Sequence, residues 1–365
     1  MAFGVYPIIK LNWAWRLPFP TCYSATSTRL WQTKLRQFSS DVPQTVPVGR
    51  EAKAASSVEK AFFQPQVQSL LQNLTGRLTE KVFGRRQVAK IRTSHIRLLT
   101  DEELDKARRE KLKEVDMVLQ MPPVMAERQP CEEVIVEDPR LEEYNSSRHV
   151  FVDITYGVKP RKRYMVVRET NGTLRRASWE ERDKLNQIYF PISGRSIDFP
   201  LVFEDGNLKA ALDRGFHHNI LDRACIQFEP DDPNFIRICH TVYDSINDNR
   251  NFSLLESTRH MGGLIFRIVS IGKPENYLIY LLQKDRMDSV VDLLTLHYII
   301  HPEGAEEFAS ILSSNDDGGP LAALKHFIKS SGQTQGNLQL AMQAYQEDQR
   351  QMQEEERVEN RRSAG

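Results

Sequence analysis

The spacing of apolar residues along the chain predicts a mostly helical protein. An early stripe follows the three- and four-residue spacing of one helical face and consists of Val67, Leu70, Leu71, Leu74 and Leu78. Later stripes with this period run through residues 208–242, 321–329 and 338–352. The run 275–300 is apolar enough to form one long buried helix. The second half of the chain is therefore expected to be a helical domain.

Two capping boxes mark the starts of further helices. Thr100 with Glu103, and Ser178 with Glu181, have the spacing at which the two side chains bond each other's backbone amides. Prolines at 122 and 123 end the first of these helices, and Pro191 ends the second. Both segments are expected to be helical between these signals.

A change from helical to alternating spacing predicts a small β element near the middle of the chain. Apolar residues alternate through 150–156, a second run covers 164–168, and Asn171-Gly172 supplies a two-residue turn. A short strand at 198–203 is also expected, whereas the acidic stretch 127–143 is expected to be a loop. The predicted fold class is mainly α with a small antiparallel β hairpin (α+β) and an extended N-terminal segment.

The first 38 residues have the composition of a mitochondrial transit peptide. They carry five basic residues and no acidic one, with Trp31, Leu35 and Phe38 on one helical face. The string Arg36-Gln37-Phe38-Ser39 resembles a matrix-protease cleavage pattern. A disordered basic tail is the alternative. The predicted location is the mitochondrial matrix.

Removal of this segment changes the charge balance of the whole chain. The sequence has 49 basic and 49 acidic residues, so loss of five basic ones leaves a net charge of −5. Residues 75–99 and 159–176 each carry seven basic residues against one acidic residue, a local charge of +6. The remainder of the mature chain therefore carries −17. The composition indicates an acidic body with two basic patches.

The basic patches provide candidate contacts to RNA. Lysine and arginine side chains neutralise phosphates, and aromatic faces stack on exposed bases. The alternative is a solvated loop or, for residues 75–99, a tail that becomes ordered on binding. The predicted RNA contacts are Lys81, Arg85, Arg86, Lys90, Arg92, Arg161, Lys162, Arg163, Arg175, Arg176 and Trp179.

No motif for catalysis, a cofactor or a metal is evident in the sequence. Gly272-Lys273 is followed by proline, so no phosphate-binding loop forms there. Tyr298 lies between His297 and His301, where a zinc protease would need a glutamate. Cys225 and Cys239 are interpreted as core residues, and Gly262-Gly263 as a helix end or a close approach of backbone. We expect neither a small-molecule substrate nor, because no apolar run approaches roughly 18 residues, a membrane span.

Several strings resemble a mitochondrion-specific family of ribosomal proteins. They are Met121-Pro122-Pro123-Val124 with Glu127-Arg128, most of 151–191, Gln227-Phe228-Glu229-Pro230-Asp231, Ser257-Thr258-Arg259 with Gly262-Gly263, and Tyr345-Gln346-Glu347. Across residues 62–350 the chain is similar to the family of the small-subunit protein numbered twenty-two. The resemblance implies a non-catalytic structural component of the mitochondrial small ribosomal subunit. Its implied partners are neighbouring ribosomal proteins and ribosomal RNA.

The net negative charge of the mature chain favours protein partners over RNA as the main contacts. A helical-repeat factor binding mitochondrial transcripts is the alternative function, but no regular period is evident. The predicted organisation is a transit peptide (1–38), a flexible leader (39–60), a helical extension that is first basic and then acidic (61–148), a β hairpin with a helix (149–205), a helical domain (206–350) and a solvated acidic tail (351–365).

Overall fold

The computed structural model describes residues 60–83, 96–142, 147–313, 319–330 and 336–363, all within the compact unit Val48–Gly365. The predicted transit peptide and, apart from Lys60, the predicted leader lie outside the described residues. The described part is mainly helical with one antiparallel sheet, which confirms the fold class. Its helices in the first half are α1 (Pro65–Thr75), α2 (Thr79–Phe83), α3 (Asp101–Val118) and α4 (Trp179–Tyr189).

The second half is a succession of helices. They are α5 (Asp205–Asp213), α6 (His217–Gln227), α7 (Pro233–Asp248), α8 (Met261–Ser270), α9 (Glu275–Gln283), α10 (Met287–Ile300), α11 (Ala305–Ser313), α12 (Gly319–Ser330) and α13 (Gly336–Ser363). No helix of the described residues is both long enough and apolar enough to cross a membrane.

The sheet has four strands where the sequence predicted a hairpin. Strands β1 (Val134–Glu137), β2 (His149–Val152), β3 (Met165–Arg168) and β4 (Thr173–Arg176) pair antiparallel in the order β1-β4-β3-β2. The predicted turn is present between β3 and β4, where Gly172 has a φ of 82°. The expectation of a loop throughout 127–143 is wrong, because β1 pairs with β4 through a bulge between Val134 and Val136.

The strand expected at 198–203 is also absent. The chain instead forms a 3-10 turn over Leu201–Phe203, in which the Phe203 amide donates to the Pro200 carbonyl at 3.0 Å. The Phe203 ring is fully buried and packs against Phe228. A turn anchored by one buried aromatic ring therefore replaces the expected strand.

The apolar run 275–300 forms two helices and not one. The chain breaks between α9 and α10, where Asp285 has a φ of 52° and the Arg286 amide donates to the Leu281 carbonyl at 3.1 Å. The break lets α9 pack on α13 while α10 packs on α1 and α12. Apolar spacing is continuous across the turn because both helices are buried in the same core.

One hydrophobic core runs through the described helices. It extends from Phe62 and the buried face of α1 to Leu338 and Met342 in α13, so the first and last described helices share it. A smaller cluster of Met165, Val167 and Ala177 lies between the sheet and α4. The sheet and α4 thus form a separate small layer beside the helical body.

Gly262 and Gly263 lie in the first turn of α8, not at a helix C-terminus. A Cβ at residue 262 would be 1.8 Å from the Met121 sulfur, and one at residue 263 would be 2.8 Å from the Tyr243 hydroxyl. The expectation of a close approach is therefore confirmed, although a side chain and not backbone fills the space at each glycine.

Candidate nucleic-acid interface

The sheet has one covered and one open face. Met165 and Val167 face the small cluster with Leu185 of α4. The register places Phe151, Val166 and Arg176 side by side on the opposite face. Alternation along β3 adds Tyr164 and Arg168 to that face. The side chains of Phe151 and Tyr164 are half-exposed.

Arginine and aromatic groups are adjacent on this open face. The Arg176 guanidinium lies over the Tyr164 ring, 5.2 Å from its centroid. Arg176 also lies 3.4 Å from the Glu133 carboxylate, whose side chain is 70% exposed. An exposed ion pair of this kind contributes little, because both groups remain hydrated. Arg176 can exchange this partner for a phosphate at small cost.

In the loop before β3, Arg161 and Arg163 bind groups of the protein itself. Arg163 is buried, with its guanidinium 3.5 Å from the Phe190 ring centroid and donating to the Asp153 and Thr155 carbonyls. Arg161 pairs with the buried Asp231 carboxylate. Lys162, between them, is exposed. Arg161 and Arg163 therefore stabilise the loop itself.

Arg175 lies on the covered face and is neutralised there. Its guanidinium binds the Glu169 carboxylate at 2.7 Å and that of Glu181 at 2.9 Å. The hydrogen bond from Arg175 lowers the pKa of Glu181 to about 2. Glu181 also accepts from the Ser178 amide and so belongs to the capping box of α4. This pairing joins β4 to the start of α4.

Trp179 is surrounded by arginines and is half-buried. The guanidinium carbons of Arg128, Arg182 and Arg161 lie 4.9, 5.0 and 5.8 Å from its ring centroid. Its indole N–H donates to the Gln129 carbonyl at 2.7 Å. Cation–π contacts at partly desolvated sites of this kind stabilise the fold. The Trp179 ring therefore packs against three arginine side chains and stabilises this part of the fold.

The acidic turn between α6 and α7 receives three arginines from distant segments. Arg195 binds Glu229 at 3.1 Å, Arg161 binds Asp231, and Arg128 binds Asp232 at 2.7 Å. Arg128 also bridges to Asp183 of α4 at 3.0 Å. We call this set of contacts the arginine junction. It connects the sheet and α4 to the helical body.

The first basic patch is described only in part. Lys81 donates to the Ser253 carbonyl at 2.6 Å, and its partial burial lowers the pKa of its ammonium group. Arg77 lies 3.0 Å from the Asp116 carboxylate. The remaining candidates of this patch, Arg85, Arg86, Lys90 and Arg92, lie outside the described residues.

A histidine–aspartate cluster lies away from the sheet. The His260 imidazole bonds Asp222 at 2.9 Å, and His218 lies 3.5 Å from the same carboxylate. Burial lowers the pKa of His260 to about 4. The Arg259 guanidinium also binds Asp222 and lies 3.3 Å from His260. Because this fixed positive charge occupies the approach to the three groups, the arrangement favours an internal ion pair over a metal.

The other histidines and cysteines considered as ligands are placed in the helical body. The His301 imidazole lies 2.9 Å from the Val269 carbonyl, and burial lowers the pKa of His297 to about 4. Cys239 is buried, and burial raises the pKa of Cys225 to about 11. These groups are packed as core residues.

Sequence reasoning missed two residues of the open face. Phe151 lies between Val150 and Val152 in β2, at a position where alternation leads one to expect a polar side chain. Arg168 ends β3 on the same face as Arg176. An aromatic residue at the outward position of a predicted strand was the available signal.

Comparisons with known proteins identify relatives of the chain. Residues 60–302 match the family model described as "Mitochondrial 28S ribosomal protein S22". A mouse (Mus musculus) protein named "Small ribosomal subunit protein mS22" is 35% identical over 333 residues, 89% of this chain and 91% of the relative. The bovine (Bos taurus) protein of the same name is 36% identical over 301 residues, 81% of this chain and 82% of the relative.

Proposed function

Because the chain belongs to the mitochondrial 28S ribosomal protein S22 family, we propose that it is a structural component of the mitochondrial small ribosomal subunit. The observation that carries this proposal is similarity to a relative named as a small-subunit protein along 91% of that relative's length. The alternative of a helical-repeat transcript-binding factor has no support among these relatives. We propose a role in subunit architecture and assembly in the matrix, without catalysis.

We further propose that neighbouring ribosomal proteins make most of its contacts. The mature chain carries more acidic than basic residues. Within the second basic patch, Arg161, Arg163 and Arg175 bind carboxylates, carbonyls or a ring of the protein itself. Phosphate neutralisation requires arginines and lysines that can leave such partners. The charge available to RNA is therefore smaller than the sequence count implies.

Ribosomal RNA is proposed to contact the open face of the sheet. Arg176 supplies positive charge on this face, the exposed Lys162 lies in the loop before β3, and Tyr164 and Phe151 supply aromatic faces. This combination suits an unpaired, stacked segment of RNA. Of the eleven predicted contacts, this proposal retains Arg176 on the sheet and Lys162 in the loop before β3. It gives structural roles to Arg161, Arg163, Arg175 and Trp179.

Sedimentation of gently lysed mitochondria, before and after a high-salt wash, tests the proposed function. We expect the protein to co-sediment with the small subunit and to resist the wash. Salt weakens contacts between proteins less than it weakens contacts between basic residues and phosphates. Finding it only in light fractions would contradict the assignment.

Paired substitutions, followed by ultraviolet crosslinking, test the proposed RNA surface. Lys162→Ala with Arg176→Ala should abolish ultraviolet crosslinking of the open face to ribosomal RNA and leave the thermal unfolding midpoint within about 2 °C, because exposed charges contribute little to stability. Lys209→Ala on α5 with Arg214→Ala directly after this helix is the matched control, since both residues are exposed. Equal crosslinking in both double variants would rule out this face.

A further inference from the structure

Strand β1 is an edge strand with an exposed apolar sequence. It pairs with β4 on one side and ends the strand order β1-β4-β3-β2 on the other. All four of its residues are exposed, and three of them are the β-branched Val134, Ile135 and Val136. These residues have high strand propensity and cover no part of the described core.

The backbone of β1 presents hydrogen-bonding groups away from the sheet. The Glu133 carbonyl accepts from Arg176 at 2.8 Å, and the Asp138 amide donates to Gly172 at 3.4 Å, so both residues face β4. Successive residues of an antiparallel strand direct their backbone groups to opposite edges. The amide and carbonyl of Glu137 therefore point outward, where another strand could pair.

Strand β1 lacks several of the features that protect the edges of natural sheets. Natural edge strands are protected by lysines, prolines, bulges or covering groups. β1 contains neither lysine nor proline, and its bulge lies at Val134–Val136, before Glu137.

We propose that β1 accepts an additional strand from a neighbouring protein of the small subunit, in the form of an extended basic segment. This inference rests on the proposed function. The apolar centre of β1 is flanked by exposed Glu132, Glu133 and Glu137. A partner strand with lysine or arginine at its ends and apolar residues between them complements both the charge and the surface.

The same acidic flanks argue against two other occupants. A second copy of this chain would bring its own Glu132, Glu133 and Glu137 opposite the first set, and like charges in cross-strand positions destabilise pairing. RNA phosphates would meet the same repulsion. With about 3.3 Å per residue, the four residues of β1 span roughly 13 Å, so a segment of about four to six residues covers it.

A proline at residue 137 tests the proposed pairing directly. Glu137→Pro removes the outward amide while the β4-facing amide of Asp138 is retained, and proline is tolerated on edge strands. Glu137→Ala is the matched control, because it removes the same carboxylate and keeps the amide. We expect Glu137→Pro to reduce co-sedimentation with the small subunit about fivefold or more relative to Glu137→Ala, about the contribution of one backbone hydrogen bond. The unfolding midpoint of the purified full chain should match in the two variants.

Site-specific photocrosslinking identifies the occupant. A benzoylphenylalanine at Val134 in the assembled subunit should crosslink to a ribosomal-protein peptide of net positive charge, and the same group at Phe151 on the opposite edge strand should not reach that peptide. Crosslinking of residue 134 to RNA, to a second copy or to a neutral or acidic segment would overturn the proposal. So would equal co-sedimentation of the proline and alanine variants. Failure of the unmodified chain to co-sediment would instead contradict the proposed function itself.

Discussion

At the scale of the residue, arginines of similar sequence context have different roles. Arg175 and Arg176 are adjacent, yet strand alternation places the first on the covered face and the second on the open face. Arg175 is bound by two carboxylates, while Arg176 keeps one exposed partner. Counting charge along the sequence treats these residues as equivalent. Their different surroundings mean that charge reversal at Arg175 would test folding, and reversal at Arg176 would test binding.

The two adjacent glycines of α8 provide a prediction at this scale. Gly263→Ala should lower the free energy of unfolding by about 1–3 kcal/mol, because the new Cβ would meet the hydroxyl of the buried, rigid Tyr243 ring. Gly262→Ala should cost less than about 1 kcal/mol, because the Met121 thioether is flexible and alanine favours the helix. Urea unfolding of both variants measures the difference. Equal losses would show that side-chain flexibility does not decide the cost.

At the scale of the element, local sequence signals predicted where helices begin better than they predicted the lengths of helices and strands. Both capping boxes are present, with Thr100 accepting from Glu103 and Ser178 from Glu181. β1 was missed because it has four residues and lies within an acidic stretch with prolines nearby. Its pairing partner, β4, is distant in sequence. Short strands depend on such partners, so their own residues indicate them weakly.

The two capping boxes lead to a matched prediction. Ser178→Ala should lower the global free energy of unfolding by about 1–2 kcal/mol, because Glu181 of this cap also binds Arg175 in the sheet. Thr100→Ala should leave the global value within about 0.5 kcal/mol, because α3 buries only Val115 among its described residues, and should instead increase amide exchange in α3. A global loss from Thr100→Ala equal to that from Ser178→Ala would show that α3 unfolds together with the core.

At the scale of the whole molecule, the arginine junction brings the family strings together. Arg128 follows the Met121-Pro122-Pro123-Val124 string, Trp179 opens α4, and Asp231 and Asp232 follow Glu229-Pro230. Arg128 contacts Trp179, Asp183 and Asp232, so strings separated by about 100 residues form one cluster. Residues in or next to the strings that resemble the ribosomal family thus form part of the contacts that join the sheet to the helical body.

Removing the centre of this junction should weaken the whole fold. Arg128→Met should lower the free energy of unfolding by about 3–5 kcal/mol, because it leaves the buried Asp232 carboxylate, and the partly exposed Asp183 carboxylate, without this cation. Adding Asp183→Asn to this variant should recover part of the loss, since burial already raises the pKa of Asp183. Arg350→Met, which disrupts an exposed pair with Glu347, is the control and should change stability by less than about 0.5 kcal/mol. Calorimetric or urea unfolding measures all three, and no recovery from Asp183→Asn would contradict the electrostatic explanation.

The sequence by itself determined the helical class, the cap positions, the Asn171-Gly172 turn and the family, because each depends on local spacing or on strings of residues. Of its two interpretations of Gly262-Gly263, a helix end or a close approach, the structure supports the close approach. The tertiary structure decided which basic residues face inward, where the 275–300 run breaks and which strands form the edges of the sheet. These properties depend on pairing and burial between distant segments, such as Arg161 with Asp231 and β1 with β4. A basic residue counted along the chain adds to the charge available at the surface only where folding has not paired it with a carboxylate of the protein itself.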